Sequence, residues 1–452
     1  MPKLKQYNGR FCEYDFENVF IQYLEDAGWT YQAGDDVARS KQDETLILDD
    51  LKSFLKDTNP DLAEDDINQI TDSMRLIGGQ SQFETLHKAY NFFVDGMQYT
   101  PSDGIARTVN FIDFEKPEKN IFKVVNQFTV EYVNNNEKKN RRPDILLYVN
   151  GFPLCIIELK NPADDKATIH DAFEQITVRY WRDIPHLLHY CPLACISDGV
   201  KTRLGTVKTP YEHFYTWRRI NDNESIADSS LDEFECLVYG VYAPDRFLEI
   251  FRDYVYFQDK IFDSNEVEIV CRYPQFFATR LLRESIKKSV VEHTGKGGTY
   301  FGATGCGKTY TMAFLARQLS LRCQKELGSP TILMIVDRDD LQKQGIKLFG
   351  KSKEFLSLGE VKVVKTRKEL RNELKTRESG GFYITTIQKF CDRKDDPIGE
   401  INTRSNIICF SDEAHRTQLE NAKQIKFTKD ADQNMKALIS KPYAKVLREA
   451  LP

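Results

Sequence analysis

A glycine-rich segment at residues 302–309 has the pattern G-x-x-x-x-G-K-T. Glycines in such a loop let backbone N–H groups turn toward the β-phosphate of a nucleotide, at a helix N-terminus that favours negative charge. Lys308 is expected to neutralise the β and γ oxygens, and the Thr309 hydroxyl to ligate Mg2+. The predicted ATP-binding residues of this segment are Gly302, Thr304, Gly305, Cys306, Gly307, Lys308 and Thr309.

A second pattern, Asp-Glu-Ala-His, follows the apolar run 407–411. In a motor ATPase one carboxylate of such a pair holds the Mg2+ shell, and the other orients or deprotonates the attacking water. We assign the first role to Asp412 and the second to Glu413. An acidic turn after a buried strand would look similar, but the upstream phosphate loop favours the ATPase interpretation. Together the patterns predict an NTP-driven motor that works on nucleic acid.

A third set of residues is Arg142-Pro143-Asp144, followed by Glu158-Leu159-Lys160. Metal-assisted phosphodiester hydrolysis needs carboxylates that hold one or two Mg2+ ions and a lysine that orients water or stabilises charge. Asp144 and Glu158 are the predicted metal ligands, and Lys160 is the predicted lysine. The alternative is an exposed edge strand with ordinary charges, but Glu158 follows three apolar residues, a costly position for an idle carboxylate.

The register of the two strands that carry these residues decides whether they meet. A flat hairpin with a two-residue turn at Asn150-Gly151 would pair residue 144 with 157 and point Asp144 and Glu158 to opposite faces. A loop one residue longer, or a bulge near Pro153, pairs residue 144 with 158 instead. We therefore predict such an irregularity. A helical acid, Glu13 or Glu17, could complete the metal shell, although a solvent-facing position is slightly favoured for each.

Hydrophobic periodicity predicts the elements that must position these residues. Helices are expected over residues 14–24, 45–54, 65–75, 169–181 and 247–257, and strands over 121–133, 144–149, 154–159 and 193–197, with an exposed loop at 221–232. After a boundary near residues 263–266, strands at 298–301, 331–336, 361–364, 381–385 and 407–411 alternate with helices. That alternation indicates a parallel sheet with flanking helices.

Length and composition are consistent with this organisation. A chain of 452 residues is expected to form two or three domains. No apolar run is long enough to span a membrane and the first residues do not resemble a signal peptide, so a cytoplasmic protein is predicted. The ten cysteines form no C-x-x-C pair and are interpreted as small buried hydrophobes. The net charge of −5 argues against a uniformly basic surface but allows a local basic groove; the basic runs 138–142 and 362–375 are interpreted mainly as solvated faces.

The order of these motifs resembles the R (restriction/motor) subunit of type I restriction-modification enzymes. The stretches that carry the resemblance are 13–29, 142–162, 193–217, 272–282, 302–309, 336–341, 385–388 and 412–416. The resemblance implies an α/β protein: a PD-(D/E)xK endonuclease domain with a mixed sheet over residues 1–263, then the first RecA-like lobe of a superfamily 2 motor over residues 264–452. The second motor lobe would be absent, and we expect weak ATP binding, little hydrolysis and no translocation from the chain as it stands.

The resemblance also implies roles for individual residues. Asp144, Glu158 and Lys160 match the nuclease acids and lysine. The family carries a Q-x-x-x-Y motif in a helix of the nuclease; here Gln175 matches, whereas Tyr180 falls one residue late. Residues matched to motor functions are Gln275, which would read adenine, and Arg338, Thr385 and Thr386, which would contact the DNA backbone.

The implied function is an ATP-dependent, Mg2+-dependent endonuclease subunit that acts on double-stranded DNA with methyltransferase and specificity subunits. The specificity subunit would choose the site, and this subunit would pump DNA and cut at a distance. Two alternatives stay open. One is a stand-alone helicase with a structural N-terminal domain, and the other is a DNA- and partner-binding module without turnover.

Overall fold

The computed structural model describes residues 13–161, 168–222, 230–258, 266–303, 305–337, 349, 353–356, 361–390, 397–412, 414, 424–429, 435–440 and 443–452. The chain forms two compact units. The N-terminal unit comprises Met1–Phe257 and Asn265–Tyr273, and the C-terminal unit comprises Gln258–Ser264 and Pro274–Pro452. Within the described part of the chain, no helix combines the length and apolar character needed to cross a membrane.

The N-terminal unit combines helices with a mixed sheet. Its α-helices are α1 (Glu13–Asp26), α2 (Leu48–Thr58), α3 (Glu64–Arg75), α4 (Gln82–Asp95), α5 (Ile169–Glu174), α6 (Trp181–Asp183), α7 (Pro185–Leu188), α8 (Ser230–Leu237) and α9 (Pro244–Asp253), with π-helical segments at Gln175–Tyr180 and Val238–Tyr242. Its strands are β1 (Thr30–Ala33), β2 (Met97–Tyr99), β3 (Arg107–Val109), β4 (Phe122–Asn126), β5 (Val130–Asn134), β6 (Glu137–Arg141), β7 (Ile145–Val149), β8 (Phe152–Leu159), β9 (Leu193–Ser197), β10 (Thr202–Thr206), β11 (Val255–Gln258) and β12 (Val267–Val270). Short 3-10 turns occur at Gly34–Asp36, Pro117–Lys119 and Tyr211–His213.

Six of these strands form the main sheet, in the order β1-β4-β7-β8-β9-β10. The β1/β4 and β8/β9 pairs are parallel, and the other three pairs are antiparallel. Every residue of β7 and β8 is buried, which fits their nearly continuous apolar sequences. The mixed sheet predicted for this part of the chain is therefore confirmed, with the carboxylate-bearing strand β8 near its centre.

Most predicted elements of this unit are confirmed, and three predictions are wrong in part. The predicted strand 121–133 is divided into β4 and β5, because Gln127 has φ +50° and its N–H donates to the Asp144 carbonyl oxygen at 2.9 Å. The predicted helix 247–257 ends at Asp253. The next residues, Val255–Gln258, form β11 because β-branched and aromatic side chains suit a strand paired with β12. The predicted loop 221–232 gives way to α8 at Ser230.

The β7–β8 hairpin contains the predicted irregularity. A two-residue turn at Asn150-Gly151 pairs Val149 with Phe152, but the register shifts after Tyr148 so that Leu147 faces Cys155. Leu154 is the extra residue, and Ile145 then pairs with Ile157. Extending this register by one residue sets 144 opposite 158, which confirms the bulge next to Pro153.

The turn of this hairpin leaves little room at Gly151, so Gly151→Ala is expected to lower the free energy of unfolding by about 2–4 kcal/mol. Gly151 has φ +82°, and an added Cβ would lie 2.3 Å from the Ile47 carbonyl oxygen. Gly104→Ala is the matched control: it has φ +76° but no atom within 4 Å of the added carbon, so only a conformational cost of about 1–2 kcal/mol applies. Urea denaturation measures the free energy of unfolding of both variants, and equal losses in the two would contradict the steric argument.

The C-terminal unit contains a parallel sheet and flanking helices. Its helices are α10 (Tyr273–Glu292, whose first residue belongs to the N-terminal unit), α11 (Lys308–Leu321), α12 (Gln324–Leu327), α13 (Lys353–Leu356), α14 (Arg367–Thr376) and α15 (Tyr443–Ala450), with a 3-10 turn at Ile387–Phe390. Its strands are β13 (Thr331–Val336), β14 (Val361–Val363), β15 (Phe382–Thr386), β16 (Ile407–Ser411), β17 (Gln424–Lys429) and β18 (Met435–Ser440). The order β14-β15-β13-β16 is parallel throughout, which confirms the predicted parallel sheet.

The strand predicted at residues 298–301 is absent from the structure, which shows no regular element over 294–303. Gly295 and Gly298 have φ of +64° and +125°, and glycine gives a strand no side chain to pack. Phe301, the last residue of the predicted strand, is 94% exposed.

Candidate functional site

Asp144 lies at the entrance to β7 and is 7% exposed. Its Oδ2 accepts a hydrogen bond from the Leu159 backbone N–H at 2.8 Å, and its Oδ1 lies 3.4 Å from Gln127 Nε2. The contact with Leu159 follows from the β7–β8 register set by the bulge. The structure therefore fixes this carboxylate against the strand that carries the second acid.

Glu158 is fully buried on β8, next to Leu159, whose backbone N–H donates to the Asp144 carboxylate. Burial, followed by the negative charge of Asp144, raises the pKa of Glu158 well above its ordinary value. Lys160 Nζ lies 3.7 Å from Glu158 Oε2 and donates to the Leu159 carbonyl oxygen at 2.9 Å. The structure thus brings the three predicted residues together.

A π-helical segment explains how Tyr180 reaches this cluster. In an α-helix, residues five positions apart differ by about 140° in direction. Residues Gln175–Tyr180 instead form π-helix, whose wider turn brings positions five apart onto one side. Gln175 Nε2 donates to Glu158 Oε2 at 2.6 Å, and the Tyr180 hydroxyl donates to Glu158 Oε1 at 2.7 Å. The tyrosine that falls one residue late in sequence therefore contacts the same carboxylate as Gln175.

Glu17 on α1 is 3% exposed, so the solvent-facing alternative is wrong for this residue. Its two carboxylate oxygens accept hydrogen bonds from Asn126 Nδ2 at 2.6 Å and Gln127 Nε2 at 2.8 Å. The same Gln127 amide lies beside Asp144, so Gln127 links the carboxylates of Glu17 and Asp144. Burial raises the pKa of Glu17, and the nearby Asp144 charge adds to the effect. The side chain of Glu13 lies outside the described residues.

Gln127 and Asn126 are site residues that the sequence interpretation missed. The available signal was a pair of amides that interrupts an apolar strand pattern. The positive φ of Gln127, which is uncommon for a residue with a side chain, became visible only in the structure. Breaking the strand there turns its amide toward both acids.

The carboxylate pair fits a divalent cation. Two buried carboxyl groups on paired positions of neighbouring strands are unfavourable as anions unless a proton or a cation lies between them. Among the described residues, no group of three or more His, Cys, Asp or Glu side chains is suitable to hold a metal ion by itself. Mg2+ typically uses one or two carboxylates and takes its other ligands from water and substrate phosphates. Asp144 and Glu158 match that preference.

Tyr180→Phe is expected to reduce metal affinity and any metal-dependent cleavage by about 10-fold to 100-fold, because outer partners orient the ligating groups. The change removes only the hydroxyl that donates to Glu158. Tyr99→Phe is the matched control, because it also removes a hydroxyl that donates to a carboxylate, here Asp66 at 3.0 Å, outside the cluster. Titration with Mn2+ measures the metal affinity of the wild type, of Tyr180→Phe and of the control variant. Unchanged affinity in Tyr180→Phe would show that this hydrogen bond does not orient the ligand.

The glycine-rich loop of the C-terminal unit has the backbone shape that its sequence predicts. Gly305 and Gly307 have φ of +81° and +83°, and Gly307 is the N-cap of α11. Lys308 Nζ donates to the carbonyl oxygens of Gly302 at 3.0 Å and Ala303 at 3.4 Å. The ammonium is therefore held across the loop at the start of a helix, where phosphate oxygens are favoured.

Gln275 on α10 contacts this loop directly. Its Nε2 donates to the Gly307 carbonyl oxygen at 3.1 Å and lies 3.4 Å from that of Cys306. A Cβ at Gly307 would lie 2.4 Å from Gln275 Nε2, so a glycine is required for this approach. The structure thus sets the predicted adenine-reading glutamine beside the loop, although its contact with adenine stays a prediction.

The other predicted motor residues lie at the carboxyl ends of parallel strands or directly after them. Asp412 follows β16 and its N–H donates to the Ile335 carbonyl oxygen of β13 at 2.9 Å. Thr385 and Thr386 end β15 and are 0% and 5% exposed, so the structure does not present them to solvent. Just after this end of β15, Gln388 Nε2 donates a hydrogen bond to the Asp337 carbonyl oxygen. Thr304, Arg338 and Glu413 lie outside the described residues.

Comparison with known proteins assigns each unit to a class. Residues 10–213 match the family model described as the type I restriction enzyme R protein N terminus. Residues 274–447 match the family model described as SWI2/SNF2 ATPase. The chain therefore carries an N-terminal domain of the type I restriction R protein class and an ATPase domain of the SWI2/SNF2 class.

Relatives found along the chain agree with this assignment. The HindI type I restriction endonuclease subunit of Haemophilus influenzae is 30% identical over 97% of this chain and 41% of its own length. The putative MjaIXP endonuclease subunit of Methanocaldococcus jannaschii is 28% identical over 90% of this chain and 40% of its own length. These matches confirm the resemblance to type I restriction endonuclease subunits. The chain spans about two fifths of the length of these relatives.

Proposed function

We propose that the chain is the nuclease and first motor lobe of a type I restriction R subunit, which couples ATP-driven DNA translocation to Mg2+-dependent double-strand cleavage. The observation that carries the proposal is the pairing of two buried carboxyl groups: the bulge at Leu154 sets residue 144 opposite residue 158, Asp144 accepts a hydrogen bond from the Leu159 N–H, and Lys160 lies 3.7 Å from Glu158. A structural N-terminal domain has no need for two buried carboxyl groups on neighbouring strands.

In the N-terminal unit, a PD-(D/E)xK-type reaction assigns a task to each residue. Asp144 and Glu158 would hold Mg2+, which supplies Lewis-acid chemistry at the scissile phosphate. Lys160 is near enough to Glu158 to orient the attacking water or to stabilise the charge that develops. Tyr180, Gln175 and Gln127 hold the carboxylates in place and exclude other conformations.

In the C-terminal unit, a RecA-like lobe would bind ATP at residues 302–309. Backbone N–H groups and Lys308 would neutralise the phosphates, Thr309 and Asp412 would hold the Mg2+ of the nucleotide, and Glu413 would act on the attacking water. Gln275 donates to the Gly307 carbonyl oxygen of this segment and would read the adenine of the nucleotide.

The activity of the whole assembly follows as part of the same proposal. Methyltransferase and specificity subunits would select unmodified double-stranded DNA, and the motor would move it until the nuclease cuts away from the recognition site. Contacts with the duplex would be chiefly to phosphates and therefore sensitive to salt.

The test is plasmid cleavage by the full-length subunit reconstituted with its methyltransferase and specificity partners. We expect linearisation of unmodified plasmid only when both ATP and Mg2+ are present. Cleavage without ATP would show that the nuclease does not depend on the motor. ATP hydrolysis without any cleavage, in every divalent cation tried, would favour a helicase with a structural N-terminal domain.

A further inference from the structure

The hairpin formed by β5 and β6 stands apart from the main sheet as a two-stranded ribbon. Strand alternation sets Tyr132 and Lys139 opposite each other and Arg141 on the same face. Arg141 lies over the Tyr132 ring at 5.7 Å, and Arg182 of α6 lines the same cleft as this tyrosine. These side chains line one open cleft.

The charge of this region is opposite to that of the chain. Residues 130–142 and 179–183 contain six Lys or Arg and three Asp or Glu, whereas the chain as a whole has a net charge of −5. A local excess of cations on an acidic protein attracts a polyanion to that part of its surface.

One ion-pair network fixes the hairpin to the candidate nuclease. Arg141 donates to Asp183 Oδ2 through Nε at 2.7 Å and through Nη2 at 2.5 Å, and Arg182 Nε donates to Asp183 Oδ1 at 2.7 Å. The Asp183 side chain is 2% exposed, and hydrogen bonds from Arg182 and then Arg141 lower its pKa to about 2. Asp183 lies three residues after Tyr180, which contacts Glu158. The same helical segment therefore contacts the hairpin through Asp183 and the predicted metal ligand Glu158 through Tyr180.

The other cations of the hairpin are available to a ligand. Lys138 is 79% exposed and lies 3.2 Å from Glu131, while Lys139 is 43% exposed and lies 3.5 Å from Glu137. Exposed pairs of this kind contribute little free energy, so a phosphate group displaces them easily. Arg182 is 62% exposed and keeps part of its guanidinium in solvent.

We propose that the open cleft along the β5–β6 hairpin, lined by Lys138, Lys139 and Arg182, binds the phosphate backbone of duplex DNA beside the nuclease site. This inference rests on the proposed nuclease function, because strand β6 leads directly into Arg142-Pro143-Asp144. Arg141 and Asp183 are positioning residues that hold the hairpin in place beside Asp144 and Glu158. The contact reads no sequence, which suits a nuclease that cuts where the DNA is delivered.

The first test is photocrosslinking with p-benzoyl-phenylalanine in place of Asn140, an exposed residue of the same cleft. The chain is irradiated with a labelled duplex in EDTA, where no cleavage occurs. We expect a DNA adduct that high salt suppresses, and none from the same group in place of Lys52 on exposed α2. Absence of an adduct at Asn140 would overturn the proposal.

A second test measures affinity. The triple variant Lys138→Gln, Lys139→Gln, Arg182→Gln is expected to bind the duplex about tenfold more weakly, with the slope of log K against log salt reduced by about 2–3. The control is Lys41→Gln, Lys52→Gln, Lys56→Gln, which makes the same charge change at exposed sites. Equal affinity and slope in the two variants would also overturn the proposal. An adduct at Asn140 in a complex that never cuts DNA would preserve this contact and refute the nuclease instead.

Discussion

An R subunit carrying Asp144→Asn is expected to lose Mg2+-dependent DNA cleavage by about 10³-fold or more, while its ATP hydrolysis stays unchanged. Loss of one anionic ligand removes several kcal/mol of metal stabilisation at the reacting phosphate, and each 1.36 kcal/mol corresponds to about tenfold in rate. The amide oxygen of Asn can still accept the hydrogen bond that Leu159 donates to Asp144, so the β7–β8 register should survive.

The assay follows linearisation of unmodified plasmid by the reconstituted complex. Asp49→Asn, an exposed position on α2, makes the same chemical change away from the cluster and should cut like the wild type. If Asp144→Asn also cuts like the wild type, the nuclease lies elsewhere and the carboxylate pair has another purpose.

Lys308→Ala is expected to weaken ATP binding and to lower ATP hydrolysis by about 10²-fold or more, since a positioned cation on the phosphates is one of the main catalytic contributions in phosphoryl transfer. Among the described residues, the ammonium donates to the carbonyl oxygens of Gly302 and Ala303, which are neutral partners that phosphate oxygens would replace. Cleavage by the complex should fall with hydrolysis, because the nuclease would depend on translocation.

Fluorescent-nucleotide binding and phosphate release measure this effect. Lys325→Ala, on exposed α12, is the matched control. Wild-type hydrolysis in Lys308→Ala would show that residues 302–309 do not form the phosphate loop.

Sequence alone predicted the elements whose chemistry is local. Strands β7 and β8 are apolar runs bounded by a turn signal, and the need to bring Asp144 and Glu158 together predicted the bulge beside Pro153. The glycine-rich segment 302–309 is a continuous pattern, and Gly305 and Gly307 adopt the positive φ angles that glycine permits. These features depend on neighbours in sequence, which a pattern can represent.

Features that depend on distant partners were not predictable in the same way. Tyr180 appeared displaced because it falls one residue late for the Q-x-x-x-Y motif, and the π-helix of the structure explains how it reaches Glu158. Glu17 appeared to be one of many surface acids, yet Asn126 and Gln127 bind it in the interior. The segment before the phosphate loop looked like a strand, but its glycines favoured another backbone conformation.

The most direct test of the central claim, that Asp144 and Glu158 hold a catalytic metal, is iron-mapped backbone cleavage. Fe2+ replaces Mg2+ in the nucleotide-free chain, and ascorbate with peroxide generates radicals that cut the polypeptide next to the bound ion. The account predicts breaks near residues 144 and 158–160 that excess Mg2+ suppresses and Asp144→Asn abolishes. Breaks confined to other segments, or the same breaks in Asp144→Asn, would contradict it.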